Sequence, residues 1–122
     1  AARRAAEFGP HELSCLAWAF GRAGRRSPSA LHAVARRSAE CAGAMSPQGL
    51  VNTMWGLAAA GHDDPTAFRE LAREALVRRG LPARDLATML WAHAALGYRS
   101  AAAAGLAAAV LEHRRELRPR EA

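Results

Sequence analysis

Residues 50–61 read LVNTMWGLAAAG. The same frame stands twice more, as LSCLAWAFGRAG at 13–24 and as LATMLWAHAALG at 86–97. In each string a Leu (Leu13, Leu50, Leu86) is followed five residues on by a Trp (Trp18, Trp55, Trp91) and six further on by a Gly (Gly24, Gly61, Gly97). All three landmarks recur at intervals of 37 and 36 residues. Agreement of three landmarks in three copies marks an internal repeat, in which each unit is too small to bury a core alone and stacks on its neighbours.

Working outward from the strings, Pro10, Pro47 and Pro82 stand three, three and four residues before the Leu. A proline suits the first helical turn, where its missing N–H would have no partner anyway. Ser46 reads as an N-cap before Pro47, and the closing Gly of each string reads as the residue just past a helix end. A second helix opens at Ser27-Pro28 and at Asp64-Pro65, while the third unit has Gly97-Tyr98-Arg99-Ser100 there. The second helices carry apolar stripes at helical spacing. The stripes are Leu31, Val34, Ala35, Ser38 and Ala42; Phe68, Leu71, Ala72, Ala75 and Leu76; and Leu106, Ala109, Val110, His113 and Leu117. The first helices are apolar nearly all round and should lie between neighbours. These features predict an all-α chain, a right-handed α-solenoid of helical pairs of about 36–37 residues. The units span 10–46, 47–81 and 82–118, with a tail at 119–122. Projected backwards, the register puts Arg3, Arg4, Glu7 and Phe8 opposite Glu40, Cys41, Ala44 and Met45. Residues 1–9 therefore read as the end of a preceding unit, and the chain as a fragment of a longer array.

Composition agrees with helix. The 122 residues include 32 Ala, no Ile, four Val and three Thr, so β-branched residues are too few for a sheet. Half of the 51% hydrophobic fraction is Ala, so large side chains are scarce and helices must approach closely. All 17 basic residues are Arg, and the net charge is +6. The isoelectric point of about 11.1 is the usual electrostatic footprint of a nucleic-acid binder, and it also fits a module that docks on an acidic protein. The excess lies early: residues 1–45 hold seven Arg against three acids, residues 46–90 five against five. Two cysteines, Cys15 and Cys41, do not make a disulfide framework. No uncharged apolar run approaches the roughly 18 residues that a membrane-spanning helix needs.

The Leu-x-Asn-x-x-Trp-x-Leu-Ala-x-x-Gly string of residues 50–61, opening a helical pair, resembles the octotricopeptide and heptatricopeptide repeats, relatives of the helical repeats of FAST-kinase-like and RAP-domain proteins. Residues 86–97 follow it with Thr88 at the Asn position. Residues 13–24 follow it more loosely, with Cys15 there and Phe20-Gly21 in place of Leu-Ala. The resemblance implies single-stranded RNA as partner, in a mitochondrion or chloroplast. The roles it implies are RNA processing, stability, translation or ribosome assembly. The competing class is a protein-interaction scaffold or a structural subunit of a ribonucleoprotein, in contact with ribosomal proteins.

Helical-repeat RNA readers use two or three side chains of one helix per base. The equivalent first-helix positions are His11, Glu12 and Cys15; Gln48, Gly49 and Asn52; and Arg84, Asp85 and Thr88. They vary while Leu, Trp and Gly stay fixed, and they are expected on the face opposite the large apolar residues. Phosphate contacts would fall to Arg22, Arg25, Arg26, Arg36, Arg37, Arg78 and Arg79. Leu13, Leu50, Leu86 and the tryptophans Trp18, Trp55 and Trp91 are expected in the core, although tryptophan also stacks on bases in single-strand binders. His11 and Cys15 stand at ligand spacing, but no second pair accompanies them, so no metal site is expected. Ser14, His32 and Asp63 or Asp64 do not amount to a catalytic triad without a strained nucleophile turn. With no phosphate-binding glycine motif either, the chain does not read as an enzyme, and no cofactor or small-molecule substrate is expected.

Overall fold

The computed structural model describes residues 7–24, 27–97 and 101–112, the side chains of residues 101–102 excepted. Among these residues six α-helices follow one another: α1 (Pro10–Ala23), α2 (Pro28–Cys41), α3 (Pro47–Ala59), α4 (Pro65–Arg78), α5 (Ala83–Ala95) and α6 (Ala101–Glu112). A 3-10 turn, Ala42–Ala44, joins α2 to α3. Among the described residues there is no strand.

The helix boundaries follow local chemistry. Proline stands at the first turn of α1, α2, α3 and α4. Ser46 Oγ accepts the Gly49 N–H at 3.0 Å, and Asp64 Oδ1 accepts the Ala67 N–H at 3.1 Å. Each cap satisfies a donor that the helix itself leaves free. At α1 the cap position is Gly9, and Glu12 Oε1 reaches back to its N–H at 2.7 Å. Helix α5 departs from the pattern: Pro82 stands before it in extended conformation, φ −59° and ψ 152°, and Ala83 opens it. Beyond α1, α3 and α5 the chain reverses at Gly24, Gly61 and Gly97, with φ of 65°, 71° and 76°. At α3 the turn closes with Gly61 N–H on the Ala58 carbonyl and His62 N–H on the Leu57 carbonyl, both 2.9 Å. That pair of bonds is a Schellman motif.

The helices pack in two layers. Helix α1 lies on α3 and α3 on α5; α2 lies on α4 and α4 on α6. Each odd-numbered helix also packs on the even-numbered helix that follows it. The core fills the space between the layers. Leu13, Leu50 and Leu86 are buried in it, with Leu31, Val34, Ala35, Ser38 and Ala42 of the first stripe and Phe68, Leu71, Ala72 and Ala75 of the second. Leu76, Ala109 and Val110 are half-buried, and Leu106 is fully enclosed. His113 and Leu117, assigned to the third stripe, lie outside the described residues, as do residues 1–6, Tyr98-Arg99-Ser100 and the tail at 119–122.

The tryptophans do not join this core, contrary to the expectation. Trp18 is 44% and Trp91 50% exposed, and Trp55 is half-buried. Helix geometry explains the difference. At 3.6 residues per turn, an offset of five residues sets each Trp about 140° around the helix from the Leu before it. Once the Leu points inward, the Trp cannot.

Helices α1 and α3 meet at two glycines. A Cβ on Gly21 would stand 2.8 Å from the Gly56 Cα and 2.9 Å from its carbonyl oxygen. One on Gly56 would stand 2.7 Å from the Trp18 nitrogen and closer still to the Ala17 carbonyl. The two backbones are in direct contact, a distance that only glycine permits.

Candidate functional site

Residues spaced four, three and four apart lie along one line of a helix. On α1 that line is His11, Cys15, Trp18 and Arg22, all exposed. On α3 it is Gln48, Asn52, Trp55 and Ala59; on α5 it is Arg84, Thr88, Trp91 and Ala95. Because α1, α3 and α5 form one layer, these three lines make one face of the molecule.

Local contacts order the face. Trp18 and Trp55 pair across the α1–α3 contact, their ring centroids 6.4 Å apart and tilted by 38°. The Arg22 guanidinium sits 5.5 Å from the centre of the Trp18 ring, within cation–π range. Gln48 Nε2 donates to Asn52 Oδ1 at 2.9 Å, leaving the Asn52 amide nitrogen free to donate outward. Thr88 Oγ1 donates to the Arg84 carbonyl at 3.0 Å, and Cys15 Sγ lies 3.7 Å from His11 Nε2.

Six of the nine base-contact candidates therefore share the face: His11, Cys15, Gln48, Asn52, Arg84 and Thr88. The other three sit one residue further on, about 100° around each helix. Glu12 is occupied in capping Gly9, Gly49 is buried with its N–H on Ser46, and Asp85 is half-buried. The face also differs from the expectation that the candidates lie opposite every large apolar residue: they are opposite the leucines and in line with the tryptophans. The spacing 11, 15, 18, 22 carried this information in the sequence.

The arginines are dispersed. Arg22 and Arg84 are on the face. Arg36 and Arg37 are on α2, in the other layer. Arg78 is committed elsewhere: it pairs with Glu74 at 3.0 Å and donates to the Ala42 and Gly43 carbonyls at 3.2 and 3.3 Å. That makes it a brace between α4 and the 3-10 turn, a correction to its assignment as a phosphate contact. Arg79 ends α4 in left-handed conformation, φ 59°. Arg25 and Arg26 lie outside the described residues.

Away from this face, the fold gathers three residues that the sequence keeps far apart: His32 of α2 with His62 and Asp64 of the α3–α4 loop. The two imidazoles meet edge to face with centroids 6.4 Å apart. Burial pushes His62 below its ordinary pKa, with the Asp64 carboxylate opposing the shift. Ser14, weighed with His32 as a nucleophile, is buried and donates its hydroxyl to the His11 carbonyl at 2.8 Å. Cys15 and Cys41 are both free thiols, and burial raises the pKa of Cys41 against the pull of Arg37. Among the described residues no helix is long and apolar enough to cross a membrane. Comparison with family models, with curated proteins and with solved structures found no match to this chain.

Proposed function

We propose that the face formed by α1, α3 and α5 binds single-stranded RNA. One observation carries the reading: tryptophans repeat at one register on three neighbouring helices and stay exposed or half-buried, beside polar side chains that differ from helix to helix. Exposed tryptophan costs solubility and contributes little to a core, whereas bases stack on it at about 1–3 kcal/mol each. The varied positions Cys15, Asn52 and Thr88 would meet base edges, with His11, Gln48 and Arg84 one turn away. Arg22 and Arg84 would meet phosphates, added to the general attraction of a +6 chain.

In this reading the two-layer packing is a segment of a right-handed α-solenoid, with units at 10–46, 47–81 and 82–118. The resemblance to octotricopeptide and heptatricopeptide repeats extends the proposal to organellar transcripts, in a mitochondrion or chloroplast.

Fluorescence anisotropy of a labelled random single-stranded RNA tests it, at about 50 and about 200 mM salt with duplex DNA as control. Preference for the single strand, steep weakening with salt, and a loss of about fivefold or more on Trp18→Ala or Trp91→Ala are expected. A folded, helical chain that binds no RNA would overturn the reading in favour of the protein scaffold.

A further inference from the structure

His62 and Asp64 are held by the backbone on both sides. The Schellman motif at the end of α3 fixes His62, whose N–H is bonded to the Leu57 carbonyl. The cap at the start of α4 fixes Asp64, because Oδ1 accepts the Ala67 N–H and so leaves Oδ2 to point elsewhere. Asp64 Oδ2 lies 4.0 Å from His62 Nε2, too far for a hydrogen bond. His62 Nε2 is buried and has no hydrogen-bond partner among the described residues. An imidazole nitrogen in that condition is costly unless something binds it. The third member, His32, is exposed on α2 and reaches the same point from the neighbouring helical pair. The ligand atoms of all three lie within 4.8 Å of one another.

We propose that His32, His62 and Asp64 bind one divalent transition-metal ion, with Zn²⁺ the expected occupant. Two imidazoles and one carboxylate are a donor set that suits borderline-soft ions, and water would complete a tetrahedron. Zinc–nitrogen and zinc–oxygen bonds of about 2.0–2.1 Å set ligand atoms roughly 3.3 Å apart in a tetrahedron, so the three draw together by an ångström or so. The exposed His32 side chain swings inward, and small rotations of the His62 and Asp64 side chains close the 4.0 Å between Nε2 and Oδ2. The Ala67 N–H on Asp64 Oδ1 is the outer contact that holds the ligating carboxylate in orientation. The charges around the point favour a cation: Asp63 and Asp64 in the loop and Glu40 on α2, against Arg36 on α2. The ion would tie α2 of the first helical pair to the loop that opens α4, and it is independent of RNA binding.

The test uses the whole chain without an affinity tag, stripped of metal. Calorimetric titration with Zn²⁺ is expected to give one equivalent, Co²⁺ to give the intense visible absorption of a tetrahedral site, and Zn²⁺ to raise the unfolding temperature. His32→Gln changes an exposed side chain and leaves the fold intact. Asp64→Asn keeps the capping oxygen and loses the ligand charge. Each is expected to weaken Zn²⁺ by more than the roughly 10–100-fold that loss of an outer contact costs. His11→Ala, which removes the exposed His11–Cys15 pair, is expected to leave the stoichiometry and affinity for Zn²⁺ unchanged. Absence of stoichiometric binding by the folded chain, equal affinity in His32→Gln, or loss in His11→Ala instead would each overturn the proposal.

Discussion

Replacing Gly56 by alanine asks the most of the described packing. The new methyl would stand 2.7 Å from the Trp18 nitrogen and nearer to the Ala17 carbonyl, where carbon needs about 3.5 Å. Both obstacles are backbone, so no side chain can rotate aside, and α1 and α3 must part by about 1 Å. Overpacking of this kind lies at the upper end of its range, about 3 kcal/mol. Alanine returns about 1 kcal/mol of helix propensity, so the net loss is about 2 kcal/mol. For a chain of this size that lowers the thermal midpoint by about 8 °C. Thermal unfolding followed by circular dichroism measures it, and tryptophan fluorescence should shift in the folded state as Trp18 and Trp55 separate. Gly43→Ala is the control, because a Cβ there meets only the tip of Glu74, at 3.9 Å. Adding Gly21→Ala to Gly56→Ala should cost less than the sum, since both open the same gap. A Gly56→Ala chain as stable as the parent, or stabilised by its better propensity, would refute the direct backbone contact.

Arg78→Ala should cost about 1–2 kcal/mol in urea unfolding, from two carbonyl bonds and a partly solvated ion pair, and should leave the salt dependence of RNA binding unchanged. A flattened salt slope would return Arg78 to the phosphate contacts. His93 is buried, packs edge-on against Phe68 at 5.2 Å and bonds through Nδ1 to the Met89 carbonyl. Burial lowers its pKa from the usual 6.5. Below that value the unfolded chain takes up a proton that the folded chain refuses, so stability is full above it and falls as the pH drops toward the lowered value. Urea midpoints at about pH 7.5 and about pH 5.5 should differ in this sense, and His93→Leu should reduce the difference, leaving the part due to His62. An unchanged difference would exclude His93 as its source.

What the sequence made legible was local. Pro28, Pro47 and Pro65, the caps Ser46 and Asp64, and the left-handed Gly24, Gly61 and Gly97 each act within a few residues of where they stand, so spacing alone located the helix ends. Burial of Leu13, Leu50 and Leu86 followed from the repeat. The Trp environment was misjudged because in an Ala-rich helix residue type does not tell one apolar face from another; only the angle from the buried Leu does. The Gly21–Gly56 contact was not legible, since the two glycines occupy different places in their units and meet through the crossing of two helices. His32 and His62 belong to different units, and only the stacking of those units brings them together.

The glycine contact also divides the layer unequally. Where α1 crosses α3, backbone rests on backbone and the shared contact is the most extensive in the fold. Where α3 meets α5, the residue in the register of Gly56 is Ala92, which is buried, and the shared contact is smaller. The first joint is therefore the closer and the more extensive of the two. The paired Trp18 and Trp55 rings stand on that closer joint, and Trp91 stands on the helix beyond the less extensive one.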